Sequence, residues 1–171
     1  MLIRRLTVSD VPSFRALRLA ALDESPASFA SSYQEEATLD AEHFARQLGP
    51  REDRGVFGSF DGSRLVGIAG LGRENLRQLG HKAFLWGVYV EPDMRRRGVS
   101  KMLISEILSF AKRVPGIIAV NLTVNAANTA AVSLYASLGF QRFGLEPKSL
   151  LISDAFHDEM HMRLQLARSD Q

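Results

Sequence analysis

Apolar residues in this chain recur with two different periods, and the changes of period mark its elements. Phe14, Leu17 and Ala21 fall at helical spacing after Asp10. A helix is therefore expected to take Asp10 as its cap, tolerate Pro12 in its first turn and stop before Pro26. Ahead of it, LIRRLTVSD reads as a short strand. The polar stretch ESPASFASSYQEEAT has no period and reads as a loop, after which Asp40 caps a second short helix ending at Gly49 and Pro50. VFGSFDGSRLVGIAGL predicts a hairpin, because Asp61 and Gly62 accept the positive φ of a tight turn.

In KAFLWGVYVEP, Phe84, Trp86, Val88 and Val90 alternate, so they are expected to share one face of a strand that Pro92 ends. Val99, Leu103, Ile107 and Phe110 then form the buried stripe of a helix closed by Pro115 and Gly116. GIIAVNLTV is the next strand. Strand, helix and strand at these lengths make a βαβ unit with parallel strands and a right-handed crossover. A further helix is expected from Asn128 to Leu138 with Gly139 as its cap, followed by strands FQRFGLE and FHDEMHMRLQL. The expected fold is α/β, with a mixed, mostly antiparallel sheet, a central parallel βαβ unit and flanking helices, in one domain over residues 1–171.

Composition narrows the class. Hydrophobic residues at 46% and charged residues at 23% describe a folded globular protein rather than a disordered or fibrous one. No cysteine is present, which excludes disulfides, thiolate nucleophiles and cysteine-held metals; no metal is expected. Met1 to Asp10 has no apolar core and no run of about 18 apolar residues occurs, so no membrane partner is expected and the cytoplasm is the expected location. A net charge of +2 gives no whole-surface attraction to nucleic acid, which is not an expected partner. Any positive site must be local.

One local site stands out. Arg95, Arg96, Arg97, Gly98 and Lys101 lie where the βαβ helix begins. Unpaired N–H groups and the positive end of the helix dipole favour an anion there, and a glycine lets a phosphate come close. A solvated basic helix end is the plain alternative; the position after a strand in a βαβ unit favours a bound pyrophosphate. GIAGLG, residues 67–72, opens no helix and reads as strand glycines. The NLT triplet at Asn121 lies within a half-buried strand and reads as chance.

VYVEPDMRRRGVSKML resembles the acetyl-CoA-binding motif of the GNAT superfamily of N-acetyltransferases, with Arg95, Gly98 and Ser100 at its Arg/Gln-x-x-Gly-x-Gly/Ala positions. Ser100 departs from the pattern but is small. NTAAVSLYASLGF is similar to a second motif of that family through Asn128, Ala131, Leu134, Tyr135, Gly139 and Phe140. PASFASSYQEE and HDEMHMRLQL are looser likenesses to one branch. The resemblance implies a GNAT-like domain using acetyl-CoA as co-substrate. Its cofactor residues would be Val88, Tyr89, Val90, Arg95, Arg96, Arg97, Gly98, Val99, Ser100, Lys101, Asn128 and Ala131.

The implied reaction is direct attack of a primary amine on the thioester, with a small-molecule or protein amine as acceptor and a homodimer as the expected assembly. A catalytically silent acyl-CoA-binding module is the alternative. A backbone N–H can stabilise the oxyanion. The departing thiol, with a pKa of roughly 8.5 by analogy with cysteine, needs little acid help, and Tyr135 fits that role. The strand before the loop holds no carboxylate for the base. Glu35 and Glu36 in the loop said to border the acceptor, and His157, Asp158, Glu159 and His161 near the last strand, remain; Glu36 is the choice. Tyr89, and less so Trp86, are expected to line the acceptor pocket.

Overall fold

The computed structural model describes residues 1–166, and in them the two periods resolve into alternating strands and helices. Strand β1 (Leu2–Arg5) precedes helices α1 (Val11–Glu24), α2 (Tyr33–Ala37) and α3 (Ala41–Leu48). Strands β2 (Gly55–Asp61) and β3 (Arg64–Arg73) form the hairpin, and β4 (Lys82–Val90), α4 (Val99–Arg113) and β5 (Ala119–Asn125) form the crossover. Helix α5 (Thr129–Ser137) leads to a second hairpin, β6 (Gln141–Ile152) and β7 (Ala155–Gln165).

All seven strands join one sheet in the order β1-β2-β3-β4-β5-β7-β6, so the expected α/β architecture is found. The pair β4–β5 is parallel, and its ladder covers only Lys82–Phe84 against Ala119–Asn121. Beyond that the two strands continue unpaired with each other, leaving a split in the middle of the sheet. Among the described residues no helix is long and apolar enough to cross a membrane.

Helix α4 covers one face, with Leu103, Ile104 and Ile107 buried against Leu71, Leu85 and Val120. Helices α1 and α3 cover the other, where Phe14 meets Phe44 edge-on at 6.0 Å. Each such phenylalanine contributes about 1.5–3 kcal/mol by leaving water, which holds these helices to the sheet more firmly than their local propensities would.

Several elements differ from the sequence expectation. In the first hairpin Asp61 is still paired with Arg64, and Gly62, at φ +60°, carries the turn. The expected loop after α1 contains α2, started by a capping box in which Ser32 Oγ accepts from the Glu35 N–H and the Glu35 carboxylate accepts from the Ser32 N–H at 2.8 Å. Strand β6 runs on past its expected end at Glu146 and through Pro147, which an edge strand tolerates because its outer N–H groups need no partner.

The largest difference lies in β4. Gly87 takes φ +63°, and Ile68 pairs with Tyr89 while Gly70 pairs with Trp86, so β4 carries an extra residue at this point. The bulge reverses the side-chain sense. Trp86 stays on the α1–α3 face and Tyr89 returns to it, whereas Val88 packs towards α4. Phe84, Trp86, Val88 and Val90 therefore do not share one face, because a left-handed residue interrupts the two-residue period.

Asp10 stands at the start of α1, but its carboxylate turns back to accept from the Thr7 N–H at 2.8 Å and from the Arg4 guanidinium at 2.7 and 2.8 Å. The hydrogen bond from Arg4, ahead of the opposing effect of burial, holds the Asp10 carboxyl down at about 2. A depressed carboxyl stabilises above its unfolded pKa, and the gain is lost as pH falls through about 4 towards 2. Arg4 is 40% exposed, so solvent reduces the contribution to about 1–2 kcal/mol. Asp10→Asn should cost that much at pH 7 in urea unfolding and flatten the acid limb; equal acid sensitivity in both proteins would rule the pair out as its source.

Candidate active site

Between Pro92 and the start of α4 the backbone makes a concave turn. Arg96 has φ +59° and Gly98, the N-cap, has φ +77°, so left-handed residues bracket Arg97 and bend the N–H groups inward, as in anion-binding nests. A Cβ built on Gly98 would meet no atom of the described residues within 4 Å, leaving the turn open to an anion. Arg96, Arg97 and Lys101 are exposed around it, and Ser100 is half-buried. Val99 instead points inward, packed with Val66, Val90 and Met94.

Arg95 is committed elsewhere. Its Nη1 and Nη2 donate to Glu24 at 3.0 and 2.6 Å, and its Nε donates to the Val90 carbonyl at 2.9 Å. Glu24 is held below the usual carboxylate range by that bond, and Arg95 is raised by the same partner. The Tyr89 ring lies beneath the Arg95 guanidinium, and its hydroxyl is pushed up to about 12 by burial and then by Glu24. This clamp ties the end of α1 to the end of β4 and sets the turn, rather than presenting a free guanidinium.

From the turn a cleft of about 370 Å³ runs along the split in the sheet. Val88, Tyr89 and Val90 form its β4 side; Asn128, Ala131 and Tyr135 form its α5 side. Asn128 also caps α5, its Oδ1 accepting from the Ala131 N–H at 3.1 Å. Tyr135 is 7% exposed and packs edge-on to Phe140 at 5.9 Å. Burial pushes its hydroxyl up to about 12, so it is protonated throughout the physiological range. An apolar slot ending in an open phosphate cradle fits the pantetheine and pyrophosphate of acetyl-CoA.

On the other side of Gly87 lies a cavity of about 460 Å³, which shares Ser28 and Phe29 with the first cleft. Glu159 and His161 of β7 line it, with Trp86 and Gly87. Glu159 accepts from Ser149 Oγ at 2.6 Å, and His161 Nδ1 lies 3.3 Å from Thr123 Oγ1. Asp158 is turned to the β6 backbone, where it accepts from the Lys148 N–H, and His157 Nδ1 lies 3.5 Å from Asn125 Nδ2. A second cavity of about 770 Å³ continues from the first along α2 and α3, and Glu35 and Glu36 line it.

Glu36 sits beside this groove but is paired. Its Oε1 and Oε2 accept from Arg18 Nη2 and Nε at 2.6 and 2.9 Å, with both residues more than nine-tenths buried. Arg18 Nη1 has no hydrogen-bond partner among the described residues and rests against Gly87. Arg18, Glu24 and Gly87 were not singled out from the sequence. The signal for Arg18 was a charge on the apolar stripe of α1, four residues after Phe14; Gly87 was visible only as a glycine inside a strand.

An open, basic turn at a helix start, leading into a cleft along a split parallel strand pair with a second cavity across the gap, is an arrangement that can take an anionic, extended ligand on one side and a second molecule on the other. The profile of the Acetyltransferase (GNAT) family matches residues 16–140, and the chain belongs to that family. It is 36% identical over 112 residues to N-alpha-acetyltransferase RimI of Mycobacterium tuberculosis, across 66% of this chain and 67% of that protein. It is 30% identical over 86 residues to a [ribosomal protein bS18]-alanine N-acetyltransferase of Salmonella typhimurium, across 50% of this chain and 57% of that one. The chain spans 22% to 67% of the length of these and another curated relative. In fold it is similar to a Salmonella typhimurium protein solved with its cofactor acetyl-CoA, at TM-score 0.84 and 22% identity, over 100% of this chain and 96% of that one.

Proposed function

We propose that this chain transfers the acetyl group of acetyl-CoA to a primary amine by direct attack in a ternary complex, and that the amine belongs to a peptide or protein. The observation that carries this is the meeting of the cofactor cleft and the acceptor groove at Ser28 and Phe29, which line both, with Val88 on the cofactor side and its neighbour Gly87 on the acceptor side. A small alkylamine would leave most of the 460 and 770 Å³ cavities to water, whereas the end of a polypeptide fills them. The relatives named for alanine and N-alpha acetylation support the same acceptor class.

In this reading Arg96, Arg97, Lys101 and the Gly98 turn hold the pyrophosphate, while Arg95 shapes the turn through Glu24. Backbone N–H groups of β4 beyond the bulge face the developing oxyanion. Tyr135 keeps its proton up to about 12, roughly 3 pKa units above a thiol. It therefore assists the leaving sulfur chiefly by donating a hydrogen bond, with its own ionisation avoided.

The base is assigned to Glu159, half-buried in the cavity that adjoins Gly87. Glu36, the sequence's choice, would have to give up a paired guanidinium to take a proton, and breaking such a buried pair costs about 3–5 kcal/mol. Glu159→Gln should lower kcat at neutral pH by roughly 100-fold, with partial recovery as pH rises and more amine is neutral. Glu36→Gln should chiefly destabilise the fold. The reverse pattern in pH–rate profiles and unfolding curves returns the base to Glu36.

Coenzyme A release across a panel of peptides and small amines tests the whole. Peptide amines should exceed alkylamines in kcat/KM by about tenfold or more, a difference of roughly 1.4 kcal/mol. Equal turnover of small amines removes the peptide acceptor, and no release with any amine leaves the silent binding module. A single domain over 1–171, a cytoplasmic location and a homodimer belong to the same reading; exposed Phe143, Leu151 and Phe156 on the β6–β7 hairpin support the dimer, which sedimentation tests.

A further inference from the structure

The larger acceptor cavity has a floor that the transfer chemistry does not need. Gly70 and Gly72 of β3 stand opposite Trp86 and Phe84 of β4, and the two rings lie across them. A Cβ on Gly70 would overlap the indole, and one on Gly72 would come 2.7 Å from Phe84 Cζ. Any other residue at these positions would lift the rings off the sheet. Phe84 is left 38% exposed in an interior strand, and both rings face the cavity, with Leu39 and Ala30 also lining it.

Charges around the cavity are already matched. Arg18 is paired with Glu36, Arg46 with Glu42 at 3.0 Å and Arg54 with Asp53 at 3.3 Å, while Glu35 accepts from Ser32. A group entering the cavity therefore finds the carboxylates and guanidiniums already paired, apart from the spare Arg18 Nη1, and two ring faces available for contact. Such a surface suits a flat apolar group, which stacks at little entropic cost.

Spacing along β4 tells which part of an acceptor arrives there. Trp86 precedes Gly87 by one strand position and Phe84 by three, so at about 3.3 Å per residue the floor extends roughly 3 to 10 Å from the bulge. An extended peptide with its amine at Gly87 lays its second and third residues over that floor.

We propose that Trp86 and Phe84 form a specificity platform that selects acceptor peptides with an aromatic side chain at the second or third residue. This rests on the peptide-acceptor reading and adds to it a sequence preference. Trp86 is the only tryptophan in the chain, so its emission reports occupancy of the platform without any transfer.

The test titrates the protein, without acetyl-CoA, with the amides of Ala-Phe-Ala and Ala-Ser-Ala. Tryptophan emission should change saturably with both, at a Kd about tenfold lower for the phenylalanine peptide. Phe84→Ala should bring the two Kd values together, and Phe84→Leu, which keeps an apolar side chain, should do so in part. In turnover, Trp86→Ala should erase a matching preference in kcat/KM. Equal Kd values in the parent protein, or a preference that survives both alanine variants, overturns the platform. Ring-selective binding without coenzyme A release keeps the platform and removes the transferase reading; release without ring preference does the opposite.

Discussion

Gly98→Val should weaken acetyl-CoA binding by about a hundredfold or more while leaving the chain folded. The residue stands at φ +77°, a conformation that costs an L-residue about 1–2 kcal/mol and a β-branched one more. Since a Cβ there meets no atom of the described residues within 4 Å, the first added carbon disturbs no neighbouring packing and enters the open side of the turn, where the phosphate is expected. Gly98→Ala should fall between. Calorimetric titration with acetyl-CoA, read beside a urea unfolding curve, separates the two effects. A valine variant that binds as tightly as the parent would move the pyrophosphate away from this turn.

Tyr135→Phe should lower kcat by roughly 10- to 1000-fold with the affinity for acetyl-CoA unchanged. Phenylalanine keeps the edge-on contact with Phe140 and the buried ring, so a loss of rate reports the hydroxyl rather than packing. With the hydroxyl pushed up to about 12 by burial, it should contribute no alkaline limb to the rate profile below about pH 10. The same shift has a consequence for stability. The raised group stabilises the fold fully below its unfolded pKa of about 10, and that contribution is lost as pH rises towards about 12. Removing the hydroxyl should soften alkaline unfolding in that window. An unchanged kcat in the variant would leave Tyr135 as a packing residue.

Much of the scaffold could be read from the sequence because its signals are local. The stripe Val99, Leu103 and Ile107 is buried on α4, Asp40 caps α3 through the His43 N–H at 2.8 Å, and Asn128 caps α5. The open turn at Gly98 was legible for the same reason: a glycine, flanking cations and a helix start all lie within a few residues. Helix α2 was also locally encoded, in the S-x-x-E box from Ser32 to Glu35, and the polar composition around it hid the signal.

The acceptor side was not legible in this way. Arg18 and Glu36 are 18 residues apart, and Arg95 and Glu24 are 71 apart; whether each charge is free or paired depends on how the chain between them folds. An arginine beside a glycine-containing turn and a glutamate in a polar stretch look like functional groups until their partners arrive. The meaning of GIAGLG likewise appeared only when β3 paired with β4 and its glycines came to lie under two aromatic rings.

The order of elements, the helix stripes and the open basic turn at Gly98 follow from the sequence, since each depends on spacing and backbone preference within one segment. Packing between distant segments sets which arginines at the turn are ion-paired, where β4 reverses its faces, and which rings floor the cavity beside α2 and α3. Those outcomes depend on strand register, on a left-handed Gly87 whose bulge exists only against β3, and on ion pairs closed between distant segments, none of which a local pattern of residues can specify.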